Sequence, residues 1–430
     1  MNKTPSLSIA LLFSVNAVAM TQSEFVDRLK NTHPFFTQQG LEQQVSQLNY
    51  TASKANQDWV LGSSLDSKNQ LNNQISSGSI SATHNLVDTG ADVSITNTWT
   101  DATTSDQFLV NYTHPLLKNS GGINDRLSSD LSRIKVEISA LKLKQNAEAF
   151  VLSQLFKLLD LSNAQQQFAL TANRLKLADQ ELKLVTDKFA QSVVDKVDVL
   201  LQKDAYQRAY QQHLQAEQDL ALLKQELAIT LDMPVESVVS DYDLYQLYRT
   251  NVDDLSRHLK QYTTEMQTAK LEQALLTRQL NSDKNNTQLQ LDLKLGAGYD
   301  TDDIWNVGLG LSYPLGNTKA KSAVEKTQIE LTKAKENAAE LHLQLTAKAS
   351  VLEKKVTHLE KLLSSYQARI EIAKSRAQEE KRRYELGNSE VSFVISAQNN
   401  VQEVRSNYAQ AALSYQKSVL EFQAAIDQLL

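Results

Sequence analysis

The sequence sets out one order of elements twice: a stretch of alternating polarity ending in Pro-Leu, a long run free of helix breakers, a tight break, and a second long run. Asn111-Tyr112-Thr113-His114-Pro115-Leu116 closes the first alternating stretch, and Leu311-Ser312-Tyr313-Pro314-Leu315 closes the second. A repeated unit of this kind cannot bury its apolar face alone. Apart from Pro5, the prolines are Pro34, Pro115, Pro234 and Pro314, each at an expected element boundary. An interior proline costs a helix about 3 kcal/mol. The proline-free runs can therefore be helices of unusual length, and the pattern points to a pore built by several chains rather than to an enzyme pocket.

The runs Ile123 to Lys188 and Lys319 to Glu385 contain neither proline nor glycine. As helices each would extend roughly 100 Å. In the first, Leu127, Leu131, Ile134, Ile138 and Leu141 step by four and three. Near the C-terminus Val394, Ala397, Val401, Val404, Tyr408, Ala411 and Tyr415 keep a heptad seam, which Val419, Phe422, Ile426 and Leu429 resume after a four-residue stutter. Such seams pack as coiled coils, and the stutter locally unwinds the supercoil. The predicted fold class is mainly α with a small β part.

Residues 1–19 read as a signal peptide: Lys3, an apolar Leu7 to Val15, and Ala17-Val18-Ala19 as the cleavage site. The first repeat then covers 20–231, with short helices, a β-hairpin region at about 59–117, and long helices over 123–188 and 194–231. A connector spans 232–254 with Tyr242, Tyr245 and Tyr248. The second repeat covers 255–430: a helix over 255–283, a β-hairpin over 287–315, and long helices over 319–386 and 390–429. No other segment approaches the ~20 apolar residues of a transmembrane helix, so a membrane span would have to be made of strands. A net charge of −6 gives no support for a nucleic-acid partner.

The second hairpin has the plainer alternation. Leu289, Leu291, Leu293, Leu295, Ala297 and Tyr299 alternate with polar residues or glycine, and so do Trp305, Val307, Leu309, Leu311 and Tyr313. Both runs are near the 9 to 11 residues with which a tilted strand crosses a bilayer. Leu289, Leu291, Leu293, Leu295, Tyr299, Trp305, Val307, Leu309, Leu311 and Tyr313 are the candidate membrane-facing set, with the aromatics placed as interfacial girdles. The alternative is a half-buried hairpin on a soluble core. In the first β region, Val93, Ile95 and Trp99 share one strand face, as do Phe108, Val110 and Tyr112, while the Ser/Asn-rich Ser63 to Ser79 reads as loop.

Two breaks occupy matching places. Phe189-Ala190-Gln191-Ser192 ends one long helix and Tyr384-Glu385-Leu386-Gly387 the other. Gly387-Asn388 can take the left-handed conformation that closes a helix, and Ser389 can cap the next. Together with the signal segment, the Pro-Leu exits and the phrase Gly308-Leu309-Gly310-Leu311-Ser312-Tyr313-Pro314-Leu315, these tips resemble the TolC-type outer-membrane efflux family over nearly the whole chain. The resemblance implies a homotrimer in the outer membrane of a Gram-negative bacterium. Four strands per chain would contribute to a 12-stranded transmembrane β-barrel, and long antiparallel coiled-coil helices would form an α-barrel through the periplasm. It further implies a periplasmic adaptor, an inner-membrane transporter of RND or ABC type, and outer-membrane lipid as partners. Physics favours closure between copies as well, since open strand edges in hydrocarbon are costly and eight strands would fill their own interior.

In that family an aromatic residue, a glycine three positions later and an aspartate nine positions later recur at each tip. The first tip here keeps Phe189 and Asp198 but has Ser192; the second keeps Tyr384 and Gly387 but has Phe393 in the aspartate place. Phe189, Ser192, Asp198, Tyr384, Gly387, Ser389 and Phe393 are therefore the candidate gate, which need not be a dense aspartate ring. Gln191, Val193, Lys381, Arg382, Arg383, Leu386 and Asn388 are adaptor-docking candidates. Asp198 equally suits a helix N-terminus, and the three cations suit a C-terminus. No catalytic pairing, cofactor motif or metal set stands out: the seven histidines are scattered, cysteine is absent, and Gly296-Ala297-Gly298 lacks the rest of a nucleotide fingerprint. The expected function is a passive export duct of a tripartite efflux or type I secretion system, opened at its tips when the adaptor or transporter docks. The alternative is a structural periplasmic coiled-coil scaffold. Drug, protein or adhesin, and metal cargo are not distinguished.

Overall fold

The computed structural model describes residues 19–70, 73–101, 106–249, 252 and 254–429. The predicted signal segment lies outside them, apart from Ala19. The chain divides into two compact units. One is drawn from Met1–Thr37, Asn146–His258 and Leu345–Leu430, the other from Gln38–Gln145 and Leu259–Gln344. Each unit takes residues from both copies of the sequence repeat.

The elements are α1 (Gln22–Thr32), α2 (Pro34–Ala52), β1 (Val60–Gln70), β2 (Asn73–Leu86), β3 (Ala91–Thr100), β4 (Gln107–Pro115), α3 (Leu127–Ala190) and α4 (Lys196–Leu231). They continue as α5 (Leu255–Tyr262), α6 (Thr264–Asn286), β5 (Gln290–Asp300), β6 (Asp302–Ser312), α7 (Thr318–Glu385) and α8 (Val391–Ala425). No helix among the described residues is long and apolar enough to cross a membrane. The single helix predicted over 255–283 is interrupted at Thr263, whose backbone is extended and whose hydroxyl donates to the Leu259 carbonyl at 2.6 Å. A threonine that bonds its own backbone competes with the helix ladder.

In the helical unit, α3 and α4 run antiparallel. Lys157 pairs with Glu226 at 2.8 Å, Phe168 lies against His213, and Gln202 donates to Glu181 at 3.0 Å. The partner numbers fall as the first numbers rise. Between α3 and α8 the same inversion holds, from Lys417 on Asp160 to Arg174 on Asn399. The seam predicted on α8 is mostly interior: Val394, Ala397, Val404, Ala411, Tyr415, Val419, Phe422 and Ile426 are buried, with Leu155, Leu158, Leu159 and Leu161 of α3. Each such leucine contributes about 1.5–3 kcal/mol relative to exposure. Burial also takes in Ala409, Ala412, Gln416, Ser418 and Leu420, so α8 is enclosed well beyond one stripe.

Helix α1 opens with a capping box between Thr21 and Glu24 and buries Phe25 and Leu29. Arg28 donates to the carbonyls of Leu231 and Asp232 at 2.9 Å each, closing the C-terminus of α4 with a cation. The connector packs through its tyrosines. Tyr242 Oη donates to Gln416 at 3.2 Å, Tyr245 Oη to Gln166 at 2.8 Å, and the Tyr245 ring stacks on Tyr408 at 4.7 Å. Gln416 in turn donates to the Leu244 and Gln246 carbonyls at 2.9 and 2.7 Å.

In the other unit one antiparallel sheet runs in the order β1-β2-β3-β4-β5-β6. It holds six strands where four were expected. The stretch Ser63 to Ser79, expected as loop, supplies most of β1 and the first half of β2, paired continuously from Val60 opposite Thr83 to Gln70 opposite Asn73. Serine and asparagine are poor strand formers on propensity, but a continuous ladder of backbone bonds holds them here on both faces. At the foot of the sheet, Asn119 N–H and Asn124 Nδ2 both donate to Asn285 Oδ1, at 2.8 and 3.0 Å, and Ser282 donates to Asn124 at 2.7 Å. Arg278 donates to Asp130 at 2.7 Å and to the Ile123 carbonyl. This polar cluster ties the Pro-Leu exit of β4 to α6 and α3.

Burial, then the nearby Asp243 carboxylate, pushes Tyr242 from 10.0 to about 12; burial, then Tyr408, does the same for Tyr245. A phenol whose pKa is raised by folding contributes fully below pH 10 and loses that contribution as pH climbs through its folded value. The contribution of these two phenols to stability should therefore be flat below pH 10 and fall between 10 and about 12. In Tyr242→Phe the alkaline fall should be shallower, and loss of the bond to Gln416 should cost about 1 kcal/mol at neutral pH, both read by circular dichroism during denaturant titration.

Candidate functional site

The two helical breaks share one backbone geometry. At the first, Ser192 N–H donates to the Phe189 carbonyl at 2.9 Å and Val193 N–H to the Lys188 carbonyl at 2.9 Å. At the second, Gly387 N–H donates to Tyr384 at 3.1 Å and Asn388 N–H to Arg383 at 2.8 Å. Both are Schellman closures, which require a left-handed residue just past the helix. Ser192 fills that seat with φ +61° and Gly387 with φ +76°. Three residues later each chain enters its next helix, with Asp195 and Glu390 as the flanking caps.

The details after each cap differ. Asp198 accepts the Asp195 N–H at 3.4 Å, so it serves the first turn of α4 as a cap. Ser389 was expected to cap α8, but that position is Glu390; the Ser389 hydroxyl donates to Glu380 at 3.0 Å. Arg382 forks onto Glu379 at 2.8 and 3.0 Å, and Arg383 lies 3.7 Å from Glu380. The hydrogen bond from Arg382 holds the Glu379 carboxyl below its usual range. These exposed pairs add little stability.

The equivalent aromatics have different surroundings. Tyr384 is 7% exposed, in a small core with Val185, Val391 and Val394, flanked by Val194, Val199 and Ile395. Lys188 Nζ stands 4.0 Å from its ring centroid. Burial, and secondarily Asp198, raises its phenol pKa. Phe189 is 44% exposed, and Val193, Leu386 and Phe393 are likewise open. Gln191, Lys381 and Asn388 are exposed too. Of the candidate gate residues, then, the chain itself gathers Tyr384 and Asp198, while Phe189 and Phe393 face outward.

Sequence reasoning missed the residues that hold the tip. Besides the valines, Arg174 is buried on α3, 3.5 Å from Glu181 and 3.1 Å from Asn399 on α8, while Gln202 of α4 donates to the same Glu181 oxygen. No pattern along any single helix marks them.

The second candidate surface is the sheet. Register places Leu61, Ala82, Ile95, Val110, Ala297 and Trp305 in one row across all six strands on one face. On the opposite face the corresponding row is Val60, Thr83, Ser94, Asn111, Gly296 and Asn306. There the Asn111 and Asn306 side chains close over Gly296, leaving no room for a Cβ. Leu291, Leu293, Leu295 and Tyr299 share the apolar face with Val307, Leu309 and Leu311, whereas Leu289 and Tyr313 lie just outside β5 and β6. That face is uncovered: Leu65 is 83% exposed and Trp305 78%. Among the described residues no group of three or more His, Cys, Asp or Glu could hold a metal ion.

A meander of amphipathic strands combined with two long helical hairpins is the fold of bacterial outer-membrane channels. The chain is similar to CusC, described as forming a transmembrane channel (TM-score 0.74, 12% identity, 95% of this chain and 92% of that one). It is similar to VceC from Vibrio cholerae (TM-score 0.71, 10% identity, 94% and 95%) and to the open state of MtrE from Neisseria gonorrhoeae (TM-score 0.70, 11% identity, 99% and 94%). No family model and no curated protein matches the sequence.

A side chain at Gly387 would meet no atom within 4 Å, so only its backbone resists substitution. Gly387→Ala should cost about 1 kcal/mol locally, speeding amide exchange at Asn388 about fivefold. Ser192→Gly should change exchange at Val193 far less, because relief of the left-handed strain is offset by glycine's greater unfolded-state freedom.

Proposed function

We propose that this chain is the outer-membrane channel-tunnel subunit of a tripartite efflux or type I secretion system. Three copies would join their sheets into a lipid-embedded barrel and their long helices into a periplasmic duct. The observation that carries the reading is the sheet's apolar face, which no element among the described residues covers, backed by an opposite face rich in hydroxyl, amide and glycine positions. Lipid outside and water inside satisfy both faces. Strand lengths of 9 to 14 residues suit a bilayer crossing. The scaffold alternative would leave that apolar face in water, where a patch of this kind promotes aggregation.

Export is passive in this reading, with energy supplied by an inner-membrane transporter. The tips form the entrance. Phe189 and Phe393, open in the single chain, would be covered by neighbouring copies in the closed ring, beside Ser192, Asp198, Tyr384, Gly387 and Ser389. An adaptor would dock on the exposed Gln191, Val193, Lys381, Arg382, Arg383, Leu386 and Asn388 and pull the tips apart. The likeness to a channel described in an open state supports a tip that moves.

The mature chain should fractionate with outer membranes and, reconstituted in planar bilayers, form closed or rarely open channels. Phe189→Ala, Asp198→Ala and Tyr384→Ala should each raise open probability several-fold. Unchanged conductance in all three would refute the gate, and a freely soluble monomer would refute the duct.

A further inference from the structure

We infer that β1 and β2 are part of the barrel wall, so that a trimer closes through β1 of one copy and β6 of the next into eighteen strands, six from each copy. This rests on the trimeric duct proposed above and specifies its interface and bore. Three observations carry it.

First, the extra hairpin continues both faces of the sheet. On the apolar side Leu61 and Leu65 extend the surface formed by Ile80, Trp99 and Phe108; on the other, Ser64 meets Ser79 hydroxyl to hydroxyl at 3.0 Å. Ser63, Ser67 and Ser76 interrupt that face of the hairpin, but its aliphatic residues line up with those of the next strands, Leu61 and Ala82 with Ile95 and Val110, and Leu65 with Trp99 across Gly78. Second, its β2 strand is anchored at the foot of the sheet. The β2–β3 turn lies directly on the segment leading into α3: Gly121 N–H donates to the Thr89 carbonyl at 3.2 Å, and Asp88 is 3.7 Å from Arg126. Gly122 and Gly90, both at positive φ, bring the two backbones too close for a Cβ on either. Third, the free edges match. Among the described residues β1 pairs only with β2 and β6 only with β5, and each strand has 11 residues. With an even number of strands in the meander, β6 of one copy meets β1 of the next antiparallel, the arrangement that a closed barrel requires. Aligned end to end, Leu61 and Leu65 stand level with Leu311 and Val307 on the apolar side.

The consequence is a wider passage. Barrel diameter grows with strand number, and 16 to 18 strands leave an open aqueous channel. The added wall carries Ser64, Ser77, Ser79, Ser81 and Thr83 together with one acidic and one basic residue, Asp66 and Lys68, on the same face. It suits bulky, uncharged or mixed-charge polar cargo better than a small ion of one sign.

The chain has no cysteine, so introduced thiols report without background. Ser64→Cys would be combined in turn with Asn306→Cys, Gly308→Cys and Gly310→Cys, all on the polar face, in the full chain in outer membranes. Oxidation links directly opposed positions, and a short bis-maleimide links diagonal ones. At least one pair should give covalent dimers and trimers, each single variant none. Linkage of the same β6 cysteines to Thr96→Cys on β3 would overturn the inference, because it means that β1 and β2 lie outside the ring. A ladder ending at the dimer would overturn the count of eighteen. An outer-membrane oligomer with no link to either strand would also overturn it, whereas a soluble monomer would remove the duct on which it rests.

Discussion

Among the described residues the apolar face of the six-stranded sheet is uncovered, and its two outer strands each pair with another strand along one side. Neither condition is stable in water for a sheet of this size. In hydrocarbon the face is satisfied, but the edges become more costly, since each unpaired group there loses several kcal/mol. The closed, lipid-surrounded ring proposed above would meet both demands.

The tips illustrate how a duplicated sequence keeps a backbone while its side chains diverge. Ser192 and Gly387 adopt the same left-handed turn through the same pair of hydrogen bonds. Glycine does so without strain; serine is held there by the closures on either side. Around that shared frame the second copy buries Tyr384 under Lys188, while the first leaves Phe189 open. The equivalent aromatic is thus interior in one repeat and open in the other.

Much of this was legible in the residues. Proline and glycine spacing put the ends of the four longest helices within four positions of where they lie, whereas the break at Thr263, which has neither residue, was not legible. The α8 seam from Val394 to Phe422 was readable because its period survives one stutter. The β1–β2 hairpin was not, because Ser63, Ser64, Ser67, Ser76, Ser77 and Ser79 carry loop propensities, and only pairing with β3 reveals which face they occupy. The Ser389 cap failed for a related reason: its hydroxyl found Glu380, nine residues back on α7, a contact that no local rule contains. The Arg174–Glu181–Gln202–Asn399 group joins three helices and has no signature along any one of them.

Of the five ladders in the sheet, four join strands adjacent in sequence and can zip from their own turns. The fifth joins β4 to β5, with Pro115 opposite Asp292, and the whole of α3, α4, the connector and α6 lies between them in the chain. Such a distant pairing must bear the entropy of closing a long loop, and contacts of high sequence separation form late. Until β4 finds β5 the chain carries two half-sheets with four bare margins instead of two. That interval is when a nascent copy is most prone to pair wrongly with another, and its length is set by how soon the intervening helices bring the two margins together.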